Sequence, residues 1–448
     1  MFNDNATAVT LYSIGCRTNQ EEVAALRAEL LSSGYRIADN VEDADIVVVN
    51  TCSVTSHTES KTKRFIQSIS RVNPKAKIVA TGCFAQQHGE SLLKYPGVAW
   101  VVGNADKYRI PSIISNSEGG ARLSVANPES PVFLGDSVLS PKESGRTRFS
   151  LKIQEGCDFR CAYCIVPSLR GPSRSAPKER LVDTFKRAVD MGYKEIVLTG
   201  THIGQYRQHI GGNRTANLES LLEGFLKVNG DYRVRLSSLD PRDLTDAVVA
   251  EVGGNPRMCD HLHVSVQSLC ADTLSLMDRP CRGLDALMER LRGFRGRYPE
   301  AGLGADFIVG HPAETEAMFE EALSRAEAVG FTYGHVFRYS KRIGTKSAKM
   351  RGQVGEPVKK ARSAAMLAML EKSREKFLSL LFARPLCIII ESENPVRGVS
   401  GNYIKVEVPG ADAVRNTWMR VALTGAPSGG YRVANRLEPE NITAVSPN

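Results

Sequence analysis

Residues 156–164 read GCDFRCAYC, so Cys157, Cys161 and Cys164 sit within eight positions and no fourth cysteine is near. A thiolate site for a structural metal usually takes four protein ligands. An iron–sulfur cube also has four corners, each usually held by a thiolate. If the protein supplies three, one iron stays open to an outside ligand and the cluster can do chemistry. The C-x3-C-x2-C spacing lets one loop wrap three corners. That loop follows an apolar run at 149–154 that reads as a strand, which places it at a strand's C-terminal end. A zinc site completed by a ligand from elsewhere is the competing reading of the same residues.

Outward from this loop, strand and helix patterns alternate. Strands are expected at 149–154, 195–199, 233–237, 261–266, 304–309 and 333–337, with helices at 178–191, 218–228, 284–298 and 314–329. Six βα units in series predict a barrel or partial barrel with its function at the strand C-terminal ends. Residues 356–382 read as one long helix closing a domain that spans 146–382. Residues 1–115 form a smaller α/β unit with a parallel sheet. Its strands are expected at 7–13, 45–49, 77–80 and 98–102, and its helices at 20–33, 57–72 and 85–94, the first ended by Gly34. Cys16, Cys52 and Cys83 each follow one of these strands, in LYSIGC, VVVNTC and IVATGC. Ligands of open parallel sheets bind beyond the strand C-termini, so these three thiols can converge. Residues 116–145, rich in Ser, Pro, Gly and Asn, read as a linker. Residues 383–448 carry short alternating runs at 386–392, 403–408, 418–424 and 431–435. They predict a small all-β barrel of the kind that binds oligonucleotides.

The 448 residues carry 58 Lys and Arg against 49 Asp and Glu, a net charge of +9 that favours a polyanionic partner. No apolar run reaches the roughly 18–20 residues of a membrane helix, and the N-terminus lacks the pattern of a signal peptide, so a cytoplasmic protein is expected. There the ten cysteines are metal ligands or reduced thiols. Cys259, Cys270, Cys281 and Cys387 lack ligand spacing and read as small buried hydrophobes or idle thiols. The eight histidines form no metal motif.

GCDFRCAYC resembles the radical S-adenosylmethionine signature. The segments IQEGCDFRCAYCIVPSLRGPSRS, EIVLTGTHIG, RLSSLDP, HLHVSVQS, ADFIVGHPAETE and HVFRYSKRIGTKSAKM are similar to the methylthiotransferases. The resemblance runs from Cys16 into the C-terminal module, which is similar to the RNA-binding TRAM domain. It implies two [4Fe-4S] clusters, one on Cys157, Cys161 and Cys164 and an auxiliary one on Cys16, Cys52 and Cys83. It also implies S-adenosylmethionine as cofactor. In such a reaction one molecule of it donates a methyl group to a cluster-bound sulfur. A second is cleaved to a radical that abstracts hydrogen from an unactivated carbon. Tyr163 matches an aromatic that packs near the cofactor adenine. Thr199, Gly200, Ser237, Ser238 and Gln267, at expected strand ends, are further candidates for cofactor contact.

Within the family, SIGCRTNQEE and NTCSVTSHTESK are most similar to the branch that acts on C2 of N6-threonylcarbamoyladenosine at position 37 of tRNA. Arg17, Thr18 and Thr55 carry that distinction. Isopentenyladenosine in tRNA and an aspartate of a small-subunit ribosomal protein are the alternative substrates. A non-enzymatic RNA-binding metalloprotein is the alternative outside catalysis. Lys346, Lys349 and Arg351, with Lys341 and Arg342, follow the last strand and are candidate tRNA contacts, as are Lys405, Arg415 and Arg420 in the β module. The resemblance implies a flavodoxin- or ferredoxin-like electron donor and a sulfur source as further partners, and a monomer is expected.

Overall fold

The computed structural model describes residues 6–53, 56–116, 122–125, 138–210, 215–382, 384–428 and 430–437. Its first unit is an all-parallel sheet of β1 (Ala8–Ser13), β2 (Arg36–Ile37), β3 (Ile46–Thr51), β4 (Lys77–Gly82), β5 (Val98–Val102) and β6 (Arg122–Ser124), in the order β2-β1-β3-β4-β5-β6. Every residue of β3 (IVVVNT) is buried. A central parallel strand covered by helices on both faces requires such a continuous apolar run. The longer helices are Arg17–Ser32, Ser56–Val72 and Cys83–Leu92. The first ends at Ser33, and the next residue, Gly34, takes φ +85, the left-handed conformation that glycine adopts most easily. β6 lies inside the stretch read as linker and pairs with β5. Three residues are too few for a readable hydrophobic period.

The second unit contains β7 (Arg148–Glu155), the short edge strand β8 (Arg174–Ser175), β9 (Glu195–Gly200), a two-stranded ribbon β10 (Gln208–His209) and β11 (Thr215–Ala216), β12 (Arg233–Leu236), β13 (His261–Gln267), β14 (Gly302–Val309) and β15 (Tyr333–Arg338). Strands β12-β9-β7 and β13-β14-β15 are two parallel half-sheets. Isolated bridges at Val234–Met258 and Leu239–Val264 join them, giving the partial barrel of six parallel strands that the sequence predicts. One continuous apolar core runs under both halves. The helix Glu356–Leu381 packs on β15, where a Cβ on Gly334 would come within 2.8 Å of Leu370.

The C-terminal unit is a closed barrel in the order β16-β17-β18-β20-β19, from β16 (Pro385–Glu393), β17 (Val396–Ser400), β18 (Lys405–Glu407), β19 (Trp418–Ser428) and β20 (Tyr431–Arg436). Four strands are expected from sequence and five are present. The extra one, β17, reads VRGVS, and Gly398 interrupts its β pattern. The glycine is needed because a Cβ there would lie 2.5 Å from the Ile389 carbonyl oxygen on the paired strand. This barrel sits against the N-terminal ends of β9 and β12. Arg233 donates to the Cys387 and Val399 carbonyls, and Arg235 to those of Ser400 and Gly401. Both arginines also hold the buried Glu195. Burial alone would raise that carboxyl; the two guanidinium groups hold it well below the usual carboxylate range. Among the described residues, no helix is long and apolar enough to cross a membrane.

Candidate functional site

Cys157 follows β7 after one residue, Gly156, whose φ of +77 lets the chain turn. A Cβ there would collide with the Pro172 carbonyl, so the turn requires glycine. The loop is pinned at three points. Cys157 N–H donates to the Gly171 carbonyl (3.1 Å), Ala162 N–H to that of Met277 (2.8 Å), and Ser347 N–H to that of Ala162 (2.8 Å). Donors approach two of its sulfurs: Arg279 Nη1 lies 3.8 Å from Cys161 Sγ, and His202 Nδ1 3.7 Å from Cys157 Sγ. Arg279 is itself held by Asp240 (2.9 Å) and the Ser265 carbonyl (2.8 Å), and His202 by Asp243. Burial pushes the Cys164 thiol up to about 12, so binding iron there must release a proton.

Cys16, Cys52 and Cys83 stand at the C-terminal edges of three adjacent strands, β1, β3 and β4. A Cβ on Gly15 would lie 2.9 Å from Cys52 Sγ, so this glycine lets the Cys16 loop close over Cys52. Asn19, wholly buried, ties the loops together by donating to the Ile14 and Thr51 carbonyls (3.1 and 3.0 Å). Its Oδ1 accepts from Cys16 Sγ (3.5 Å) and from Arg170 (3.0 Å). Cys83 packs on Ile165 and Leu169, immediately after the Cys157–Cys164 loop, and Asn104 bridges Cys83 Sγ (3.9 Å) to the Leu169 carbonyl (2.9 Å). Cys83 of one set therefore packs on the segment that directly follows the other, across one domain interface. No disulfide joins any of the ten cysteines. Each set of three thiols lies at strand ends beside polar groups that approach its sulfurs, and each could hold three corners of a cluster that keeps an open iron.

A buried ion network welds this interface. Glu22 pairs with Lys107, with Lys152 (3.0 Å) and with Arg170 (2.7 Å), while Glu155 pairs with Lys152 (2.9 Å) and Arg170 (2.9 Å). All five side chains are buried. Beside them, burial raises the Glu21 carboxyl to about 8.

Residues 8–103 match a family profile described as uncharacterized protein family UPF0004, and residues 151–326 match the radical SAM superfamily. The chain is 39% identical to the threonylcarbamoyladenosine tRNA methylthiotransferase of Thermotoga maritima, over 79% of this chain and 80% of that one. It is 33% identical to the Bacillus subtilis protein of the same name, over 93% and 94%. The chain belongs to the radical SAM methylthiotransferase family. A tRNA-2-methylthio-N6-dimethylallyladenosine synthase of Clostridium novyi is 32% identical over 78% of this chain and 77% of that one. Among solved structures, the radical S-adenosylmethionine methyltransferase TsrM of Kitasatospora setae shares the fold. It has TM-score 0.56 and 15% identity, covering 77% of each chain, and was solved with cobalamin and a [4Fe-4S] cluster.

The methylthiotransferase places the remaining sequence candidates unevenly. Tyr163, Cys164 and Gln267 line one cleft at the barrel mouth, with Asp306, Phe337 and Arg342. Gln267 takes φ +63, a costly conformation for a non-glycine residue. Thr199 is buried, and Gly200 abuts β7, where a Cβ would lie 2.6 Å from the Gln154 carbonyl oxygen. Ser237 and Ser238 follow β12 and do not line the cleft. Lys349 and Arg351 are exposed, and Lys346 is exposed but paired with Asp278 (2.6 Å). Arg342 turns inward to Glu59 (2.6 Å) of the N-terminal unit, because a buried guanidinium needs a carboxylate partner. Lys405 and Arg420 are exposed on the C-terminal barrel, at the opposite end of the strands from the cysteines. Arg415 donates to the Gly145 carbonyl and so fastens that barrel to the central unit. Thr55 lies outside the described residues. The ion network, Arg279 and the His202–Asp243 pair escaped sequence reading, since neither spacing nor composition marks them.

Proposed function

We propose that this methylthiotransferase adds a methylthio group to C2 of N6-threonylcarbamoyladenosine at position 37 of tRNA. The similarity over more than nine-tenths of the chain to a protein named for that nucleoside carries the reading. The net charge of +9 supports an RNA substrate. Cys157, Cys161 and Cys164 would hold the cluster that binds S-adenosylmethionine, and Cys16, Cys52 and Cys83 the auxiliary cluster. Together with the cofactor these clusters supply radical formation and sulfur and methyl transfer. The chain's own residues do the positioning. Arg279 and His202 donate towards the loop thiolates, Tyr163 and Gln267 wall the cleft, and Arg170, Glu22 and Asn19 hold one cysteine set against the other.

Lys349, Arg351, Lys405 and Arg420 would meet RNA phosphate, which makes binding salt-dependent. An electron donor of the flavodoxin or ferredoxin type and a sulfur source complete the reaction. The test is an anaerobic reaction with S-adenosylmethionine and three substrates: anticodon stem-loops carrying threonylcarbamoyladenosine or isopentenyladenosine, and the ribosomal protein uS12. Methylthiolation of the first substrate alone supports the reading. Turnover of either of the others in its place overturns it.

A further inference from the structure

A separate set of donors faces the interior of the partial barrel. Alternate residues of a strand share a face. The register of β13, β14 and β15 pairs His263 with Gly304 and Asp306 with His335, bringing His263, Asp306 and His335 together. His263 Nε2 and His335 Nδ1 each lie 3.0 Å from Asp306 Oδ1, and the three donors lie within 4.8 Å of one another. Metal–ligand bonds of about 2.1 Å at right angles put neighbouring donors about 3.0 Å apart. His263 is 5% exposed, and its Nε2 has no hydrogen-bond partner, because its approach to Asp306 lacks hydrogen-bond alignment. A buried nitrogen this close to a carboxylate oxygen but turned off its hydrogen-bond line suits a lone pair directed at an ion beside both atoms.

The surroundings have the features of a metal's outer shell. His263 Nδ1 lies 2.7 Å from the Tyr333 hydroxyl, which is also 2.7 Å from His261 Nε2. Asp306 Oδ2 accepts from the Ser265 hydroxyl at 2.9 Å. Gly304 makes this packing possible, since a Cβ there would collide with the Tyr333 ring. His335 is 58% exposed, so the trio opens on one side, and Asp306 lines the same cleft as Tyr163 and Cys164.

We propose that His263, Asp306 and His335 bind one divalent first-row transition ion, in a facial two-histidine, one-carboxylate arrangement with positions open to oxygen ligands in the cleft. Binding of the ion does not depend on which of the family's substrates the enzyme takes. The enzyme, purified anaerobically with its clusters and stripped of loose metal, is titrated with Mn2+. Loss of the free-ion resonance reports binding, and Zn2+ serves as competitor. One Mn2+ per chain, displaced by Zn2+, is expected. D306N and H335A should abolish it with iron content unchanged, and Y333F should weaken it about 10- to 100-fold. H209A, at an exposed histidine outside the trio, should leave it unchanged. Absence of saturable Mn2+ binding, or equal binding by D306N and H335A, overturns the proposal.

Discussion

The charge count of the interface network predicts which substitution breaks it. Glu21, with a carboxyl raised to about 8, is protonated at neutral pH. The network then holds two carboxylates, Glu22 and Glu155, against three cations, Lys107, Lys152 and Arg170. Arg170→Met leaves two against two. Glu22→Gln leaves one carboxylate against three buried cations. Removing one partner of a buried ion pair costs ~3–5 kcal/mol, mostly for the charges left behind. Glu22→Gln should fall at the upper end of that range. Arg170→Met should lie ~1–2 kcal/mol nearer the parent protein, because it loses hydrogen bonds without leaving a charge uncompensated.

A chain of three units does not unfold in one step, so the assay must be local. Amide hydrogen exchange across the helix Arg17–Ser32 and β7 reports opening of this interface. At 1.4 kcal/mol per tenfold, Glu22→Gln should speed exchange there by about 10³- to 10⁴-fold, and Arg170→Met by clearly less. Raising the pH should partly rescue Glu22→Gln. Burial already lowers the Lys107 pKa, and without Glu22 its proton is held more weakly still. Faster exchange in Arg170→Met than in Glu22→Gln, or less than a tenfold effect in both, would refute the charge count.

Replacing Cys157, Cys161 or Cys164 with Ala should abolish cleavage of S-adenosylmethionine. Replacing Cys16, Cys52 or Cys83 should spare cleavage and stop methylthiolation. Assaying 5′-deoxyadenosine and methylthiolated product separately tests that division, and loss of cleavage in the second group with the first cluster intact contradicts it. The Glu21 carboxyl ionises near its ordinary 4.5 when unfolded and near 8 when folded. Its contribution is therefore most favourable below pH 4.5, falls by ~1.4 kcal/mol per unit as pH rises, and levels off above 8. Glu21→Gln removes that slope, so its stability relative to the parent should improve by about 2 kcal/mol between pH 6 and pH 8, read from local exchange at both; a flat difference contradicts the burial of an uncharged Glu21.

The strands of the two α/β units were legible because buried parallel strands are continuous apolar runs, and IVVVNT is one. β17 was not, because Gly398 interrupts it for a contact made only after the barrel closes. The six cysteines could be singled out because each set has a local signature, a spacing in one case and strand ends in the other. Glu21 and Glu22 fall early in a helix, where nothing in the spacing marks them as buried, and the fold places both in the interface with β7. The His263–Asp306–His335 trio depends on the register of three strands, which sequence spacing does not reveal. Arg342 read as a candidate tRNA contact, whereas the fold buries it beside Glu59.

Reaction and substrate are tested together by mass spectrometry of nucleosides from tRNA of cells with and without this gene. Without the gene, the methylthio form of N6-threonylcarbamoyladenosine should be lost and its unmethylthiolated parent should accumulate. An unchanged profile of that nucleoside, or loss of the methylthio form of isopentenyladenosine in its place, would contradict the proposed function.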